Sequence, residues 1–166
     1  QAAPDFVAPR VNFAHFLREN SQYRQALDQT MIAIDYAPED PDVWLTASLI
    51  HQQMGNINNA IESLHTALEC DETNFYAYRN LSLCYLDSRD WRRAIGFAMQ
   101  GIEALKMNPL DPEDEGDAYK ILAIAYMNLP DYRNAMKAIN RGLEIYPNDP
   151  QLLQMRRDIQ NRSGLY

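Results

Sequence analysis

Apolar and polar residues alternate along this chain with the spacing of amphipathic helices arranged in pairs. Residues 44–73, with the sequence WLTASLIHQQMGNINNAIESLHTALECDET, contain two such patterns joined by Gly55 and Asn56. Apolar side chains three and four residues apart lie on one side of a helix, so each pattern predicts an amphipathic helix. Glycine and asparagine are common turn residues, and the stretch therefore predicts a helix–turn–helix hairpin.

Parts of this hairpin recur along the chain at a fixed interval. Ala26, Ala60 and Ala94 are 34 residues apart, and Ala135 follows after the same interval plus seven inserted residues. A period of this length indicates stacked supersecondary units, so we predict an all-α solenoid of four units. The predicted boundaries are 1–6 for an extended lead-in, 7–40, 41–74, 75–108 and 116–149 for the units, 109–115 for the insert and 150–166 for a closing helix.

Positions aligned by this period hold similar residues. One place in each first helix is small, and we expect it to face the recurring alanine of the second helix, because helices approach closely only where side chains are small. A short polar residue before a second helix predicts an N-cap. The small places are Ala14, Ser48, Ser82 and Ala123; the aromatic places are Trp44, Tyr78 and Tyr119, with Arg10 as the exception; the expected N-caps are Asn56, Asp90 and Asp131.

The last segment predicts one more amphipathic helix after Pro150. Leu152, Met155 and Ile159 share one side of it, and Gly164 is expected to end it. We interpret this helix as a cap that covers the apolar side of the fourth unit.

The aligned residues resemble the tetratricopeptide repeat family, whose unit of 34 residues carries an aromatic, a small residue, an alanine and a closing proline at these places. The resemblance covers residues 7–149 and departs from the family pattern at Arg10, Glu72 and Lys106. It implies stacked units whose first helices line a concave surface that binds proteins.

We therefore expect a non-catalytic interaction adaptor that holds a partner helix or peptide in this concave groove, within a larger assembly. The alternative is a small secretion-type chaperone that holds a client protein or self-associates. The period places these groove residues: Asp42, Leu45, Leu49, Gln52, Tyr76, Arg79, Asn80, Leu83, Leu86, Asp117, Lys120, Ile121, Ile124 and Met127, with Val11, Asn12, His15 and Arg18 from the first unit.

The charge balance limits the classes of ligand that the chain is expected to bind. With 15 Lys and Arg against 23 Asp and Glu, the net charge of −8 opposes binding to nucleic acid or anionic lipid. The chain has no run of about 18 apolar residues that could insert into a membrane. A calcium loop that starts at Asp111 needs a glutamate at its twelfth position. That position holds Leu122, so we expect the acidic insert to be a solvated loop.

Candidate chemistry is sparse. The histidines His15, His51 and His65 do not have the spacing of metal ligands on one helix, and Cys70 and Cys84 form no CxxC motif. Nucleophile, phosphate-binding and zinc-protease motifs are missing, so we expect neither an enzyme nor a bound cofactor. The sequence is compatible with a cytoplasmic protein and with an exported one.

Overall fold

A computed structural model describes residues 6–163, and the regular structure from Val7 to Ser163 is entirely α-helical. This confirms the all-α prediction. The predicted lead-in lies outside the described residues except for Phe6, as does the predicted helix end at Gly164. The helices are α1 Val7–Glu19, α2 Tyr23–Tyr36, α3 Pro41–Gln53, α4 Ile57–Cys70, α5 Phe75–Asp87, α6 Trp91–Met107, α7 Pro112–Asn128, α8 Tyr132–Ile145 and α9 Pro150–Ser163.

The chain divides into two compact units between Ala77 and Tyr78, inside α5. In unit 1, α1 packs on α2 and α3 on α4, and α2 also contacts α3. One buried cluster of this unit joins Ala14 and Leu17 of α1 to Ala26 of α2 and Ile50 of α3. The two neighbouring pairs therefore share one core.

In unit 2, α7 packs between α6 and α8, and α9 packs on α8. The rings of Tyr85 and Phe97 stack in parallel with centroids 5.4 Å apart. Leu152 of α9 is completely buried, and its Cδ1 would lie only 2.6 Å from a Cβ added at Gly142. Leu152 of α9 therefore packs directly against Gly142 of α8.

The small residues at the aligned places are all completely inaccessible. This is the burial expected where paired helices approach closely, and in unit 1 Ala14 and Ala26 lie in the same buried cluster. The eight residues, each 0% exposed, are Ala14, Ser48, Ser82 and Ala123 of the first helices and Ala26, Ala60, Ala94 and Ala135 of the second helices.

Two local expectations need correction. Asp90 and Asp131 accept hydrogen bonds from the backbone N–H groups of Arg93 and Asn134, as capping requires, but the Asn56 side chain makes no such bond. The acidic insert is also not a loop throughout, because α7 begins at Pro112. Proline is favoured in the first turn, and carboxylates there interact favourably with the helix dipole, so the insert lengthens α7 instead.

Candidate functional site

An ion-pair network joins two first helices in unit 2. Arg79 of α5 donates from Nη2 to Asp117 Oδ2 of α7 at 2.9 Å. Lys120 Nζ lies 3.2 Å from Asp117 Oδ1 and 3.0 Å from Asp149 Oδ2, in the turn before α9. These side chains are half-buried, so water screens the pairs less than it would on an open surface. The network fixes the charged groups in place.

The electrostatics keep Lys120 and Asp149 ionised at neutral pH. Burial lowers the pKa of Lys120, but hydrogen bonds to Asp149 and Asp117 outweigh it, and the pKa lies above its usual value. Burial likewise raises the pKa of Asp149, but the backbone N–H of Leu152 and the Lys120 ammonium outweigh it and lower that pKa.

Apolar side chains lie on the same helices as the network. Lys120, Ile124 and Met127 recur at helical spacing on one side of α7, and Leu83 and Leu86 lie on α5. All four apolar residues are half-buried, so each keeps surface that the core does not cover. We call the following set the first-helix face of unit 2: Arg79, Leu83, Leu86, Asp117, Lys120, Ile124 and Met127.

Three of the predicted groove residues offer little surface. Leu45 is 9% exposed, Asn80 7% and Ile121 4%, because their side chains belong to the cores of their units. Leu49 and Gln52 are half-buried, whereas the other two predicted groove residues of unit 1, Asp42 and Tyr76, are exposed.

The first helices of unit 1 present a more polar surface. His15 Nε2 lies 3.4 Å from Thr46 Oγ1. Burial and the neighbouring Arg18 lower the pKa of His15, while burial and Asp40 raise the pKa of Asp42. His15 is therefore neutral near pH 7. Of the remaining residues predicted there, Val11 and Arg18 are half-buried and Asn12 is exposed.

The reactive side chains lie apart from one another. Within residues 6–163, no group of three or more His, Cys, Asp and Glu side chains could hold a metal ion. Burial and the neighbouring Glu69 raise the pKa of Cys70, so its thiol stays protonated and is a poor nucleophile. His51 has a buried Nδ1 without a partner, and burial lowers its pKa. None of the helices described is long and apolar enough to cross a bilayer.

The role of Asp149 was not foreseen from the sequence. It lies in the turn after α8, 29 positions beyond Lys120, and the two side chains meet in the folded chain. A usable signal was present, because Asp149 immediately precedes Pro150 at a helix start, where an acidic side chain is held by backbone N–H groups.

Comparison with known proteins supports the repeat architecture. The tetratricopeptide repeat model matches residues 41–74 and 116–149. Anaphase-promoting complex subunit 3 of Dictyostelium discoideum is 31% identical over 78 residues, which is 47% of this chain and 8% of that protein. The human cell division cycle protein 16 homolog is 30% identical over 73 residues, or 44% of this chain and 12% of that protein. The chain thus spans only a small part of these relatives.

Solved structures share the fold at lower sequence identity. The pilF structure from Pseudomonas aeruginosa has a TM-score of 0.84 at 14% identity, covering 96% of this chain and 69% of that one. The Cut9–Hcn1 hetero-tetramer of the APC/C contains a chain with a TM-score of 0.80 at 21% identity, covering 96% of this chain and 31% of that one.

Paired antiparallel helices with aligned small residues define this protein as an all-α helical-repeat solenoid. Two of its segments, residues 41–74 and 116–149, are more particularly similar to the tetratricopeptide repeat.

Proposed function

We propose that the first-helix face of unit 2 binds a helix or an extended peptide of a partner protein and that the chain acts without catalysis. The observation that carries this proposal is the pairing of half-covered apolar side chains with a fixed ion network on the same two helices. Leu83, Leu86, Ile124 and Met127 offer contact area. Ion pairs with carboxylates already hold the side chains of Arg79 and Lys120. These cations can therefore orient a bound peptide without a further loss of side-chain freedom.

The expected affinity is modest. Completing the burial of an apolar side chain contributes up to about 1.5–3 kcal/mol, and these four are already half-buried. Association costs several kcal/mol in lost freedom of motion. A single short peptide should therefore bind with a dissociation constant on the order of micromolar.

We further propose that this binding serves a larger assembly. The relatives from Dictyostelium and human include a subunit named for the anaphase-promoting complex, and the APC/C structure is a hetero-tetramer. A solenoid face that binds one extended segment suits a subunit holding a neighbour in such an assembly.

The test is affinity capture from the source organism's lysate followed by quantitative mass spectrometry. The variant Leu83→Asp/Ile124→Asp places two carboxylates on the first-helix face, and Met31→Asp is the matched control, since Met31 is exposed on a second helix of unit 1. We expect the double variant to lose its specific partner while keeping its helical circular-dichroism signal and the control to keep both. Equal capture by the double variant and the wild type would rule out this face.

Self-association is a second candidate, and two residues favour it. Phe13 is 49% exposed and Phe16 is 59% exposed on α1, with their rings stacked at 6.3 Å. Neighbouring exposed aromatic side chains often mark an interface. In the other units the same aligned places are buried: Ala47, Leu81 and Leu122 match Phe13, and Ile50, Cys84 and Ala125 match Phe16.

A further inference from the structure

The second helices of unit 2 are basic although the chain is acidic. Together α6 and α8 carry six Lys and Arg residues against two carboxylates, Glu103 and Glu144, in a chain of net charge −8. The second helices of unit 1, α2 and α4, carry one arginine against four carboxylates. The second helices of unit 2 therefore carry a net positive charge, whereas those of unit 1 carry a net negative charge.

A groove lies between these helices. It has a volume of about 260 Å³ and is lined by residues of α6, α7 and α8. Leu122, 6% exposed, closes it toward the core, while Met99, 52% exposed, lies open at its α6 side. Tyr119 and Tyr126 of α7 also line it, two helical turns apart on the same side of that helix. We call this the second-helix groove.

Cations line the α8 side of the second-helix groove. Lys137 and Arg141 are among the lining residues, and Arg133 continues the row one turn earlier at the same four-residue spacing. Within residues 6–163, Lys137 forms no ion pair, and Arg141 pairs only with Glu144 at 2.7 Å. That pair is well exposed, and exposed pairs are weak and exchange readily. Both cations are available to an incoming carboxylate.

Tyr119 and Tyr126 also supply hydroxyl groups to the second-helix groove. Burial first, and Glu115 second, raise the pKa of Tyr119, and burial and Asp131 raise that of Tyr126. Both hydroxyl groups stay protonated near neutral pH. A tyrosine with an apolar ring and a hydroxyl donor suits contact with a mixed apolar and acidic ligand.

We propose that the second-helix groove binds an acidic amphipathic segment of another protein. An aliphatic or aromatic side chain of the segment inserts beside Met99 and the two tyrosines, and its carboxylates contact Lys137 and Arg141. This site differs from the first-helix face, because a rotation of 100° per residue places Tyr119 and Tyr126 on a different side of α7 from Lys120 and Ile124.

A short acidic peptide fits this groove better than an extended polyanion does. Charges more than about 8 Å away are largely screened at physiological ionic strength, so a small ligand senses mainly the local cations. A vesicle surface or a nucleic acid would also meet the acidic remainder of the chain, which repels it.

The experiment uses the full chain and a display library of random 16-residue peptides. Peptides are selected on the wild type, and the best one is labelled and titrated by fluorescence anisotropy. The test variants are Lys137→Glu/Arg141→Glu and Met99→Ser; all three side chains are exposed, so the fold should persist. The matched controls are Arg92→Glu, an exposed cation of α6 that does not line the groove, and Leu83→Asp/Ile124→Asp.

We expect the selected peptides to combine carboxylates with an aromatic or aliphatic anchor. The charge-reversal variant should bind the best peptide about tenfold or more weakly, from the loss of two ion pairs and added repulsion. Met99→Ser should weaken binding about fivefold through lost apolar contact. Both control variants should bind like the wild type, and raising the salt concentration should weaken binding.

Other outcomes overturn the proposal. These are the failure of selection to enrich any peptide, an enriched set without excess carboxylates, and equal loss of binding in Arg92→Glu. Loss in the Leu83→Asp/Ile124→Asp variant would assign the peptide to the first-helix face. Binding to vesicles containing 30% phosphatidylserine (about one charged lipid in three) without peptide binding would assign the cations to a membrane surface instead.

Discussion

Two helical glycines provide a matched test of how closely α9 is seated on α8. Gly96 lies in α6, and a Cβ added there meets nothing within 4 Å. Gly142 lies in α8, and a Cβ added there would lie 2.6 Å from Leu152 Cδ1. Replacing either glycine by alanine gives the same gain in helix propensity, so the difference between the two variants isolates packing.

The magnitudes follow from that geometry. Alanine is favoured over glycine inside a helix by about 0.8–1.0 kcal/mol, so Gly96→Ala should stabilise unit 2 by about that amount. At Gly142 the added methyl group must displace the fully buried Leu152, and overpacking of this kind costs about 1–3 kcal/mol. Gly142→Ala should therefore be less stable than Gly96→Ala by about 1–3 kcal/mol.

Thermal unfolding followed by circular dichroism measures both variants against the wild type. A rise of about 2–4 °C in the midpoint temperature is expected for Gly96→Ala, from 1 kcal/mol in a domain of this size. The double variant Gly142→Ala/Leu152→Ala adds a direct check. Without the Leu152 methyl groups the added Cβ finds room, so the two substitutions should couple favourably by about 0.5–3 kcal/mol.

Equal stabilisation by Gly96→Ala and Gly142→Ala would refute this reasoning. It would mean that Leu152 can move away at no cost, and that α9 is not packed closely against Gly142.

Three further predictions concern local features. Asp131→Ala should destabilise the fold by about 1 kcal/mol, because the Asp131 side chain caps α8. Asn56→Ala should cost much less, because the Asn56 side chain makes no capping hydrogen bond. Thermal unfolding compares the two variants, and equal losses of stability would contradict this difference in capping. Burial lowers the pKa of His51 below its unfolded value of about 6.5, so stability is complete above that pH and is lost as the pH falls toward the folded pKa. In urea unfolding at pH 7.5 and 5.5, His51→Gln should reduce the pH difference, and an unchanged difference would exclude His51 as its source. Phe13→Ser/Phe16→Ser should lower the apparent mass measured by sedimentation at several protein concentrations, without altering the helical circular-dichroism signal. A wild type that stays monomeric at every concentration would refute self-association.

Much of the fold was predictable because close helix packing constrains residue size. Ala60 and Ala94 recur 34 residues apart, and both are completely buried at 0% exposure. A larger side chain at these positions would push the paired helices apart, so the 34-residue spacing of small residues reflects the contacts between paired helices.

Features at the ends of single helices were less predictable. Asn56 occupies the same aligned place as Asp90 and Asp131, yet only the aspartates form side-chain caps. The carboxylates of the insert extend α7 because Pro112 begins a helix there. The repeat period encodes neither outcome, although Pro112 and the carboxylates after it are a local signal for the earlier start of α7.

Only some of the residues predicted for the candidate site have surface available to a partner. Helical spacing predicted Ile124 and Met127 as groove residues, and both lie on α7 with part of their surface uncovered. It also placed Leu45 and Ile121 there, although both are buried, because half a turn of error along a helix exchanges surface for core. The cation row through Lys137 was visible in the sequence, but the groove beside it depends on the distance between α6 and α8.

The central claim is that the first-helix face of unit 2 binds a partner protein. Isothermal titration calorimetry with the captured and purified partner tests it most directly, using wild type, Leu83→Asp/Ile124→Asp and the Met31→Asp control. We predict that the double variant binds at least about tenfold more weakly, and that wild-type binding has a negative heat-capacity change from burial of apolar surface. An unchanged dissociation constant in the double variant would contradict the claim.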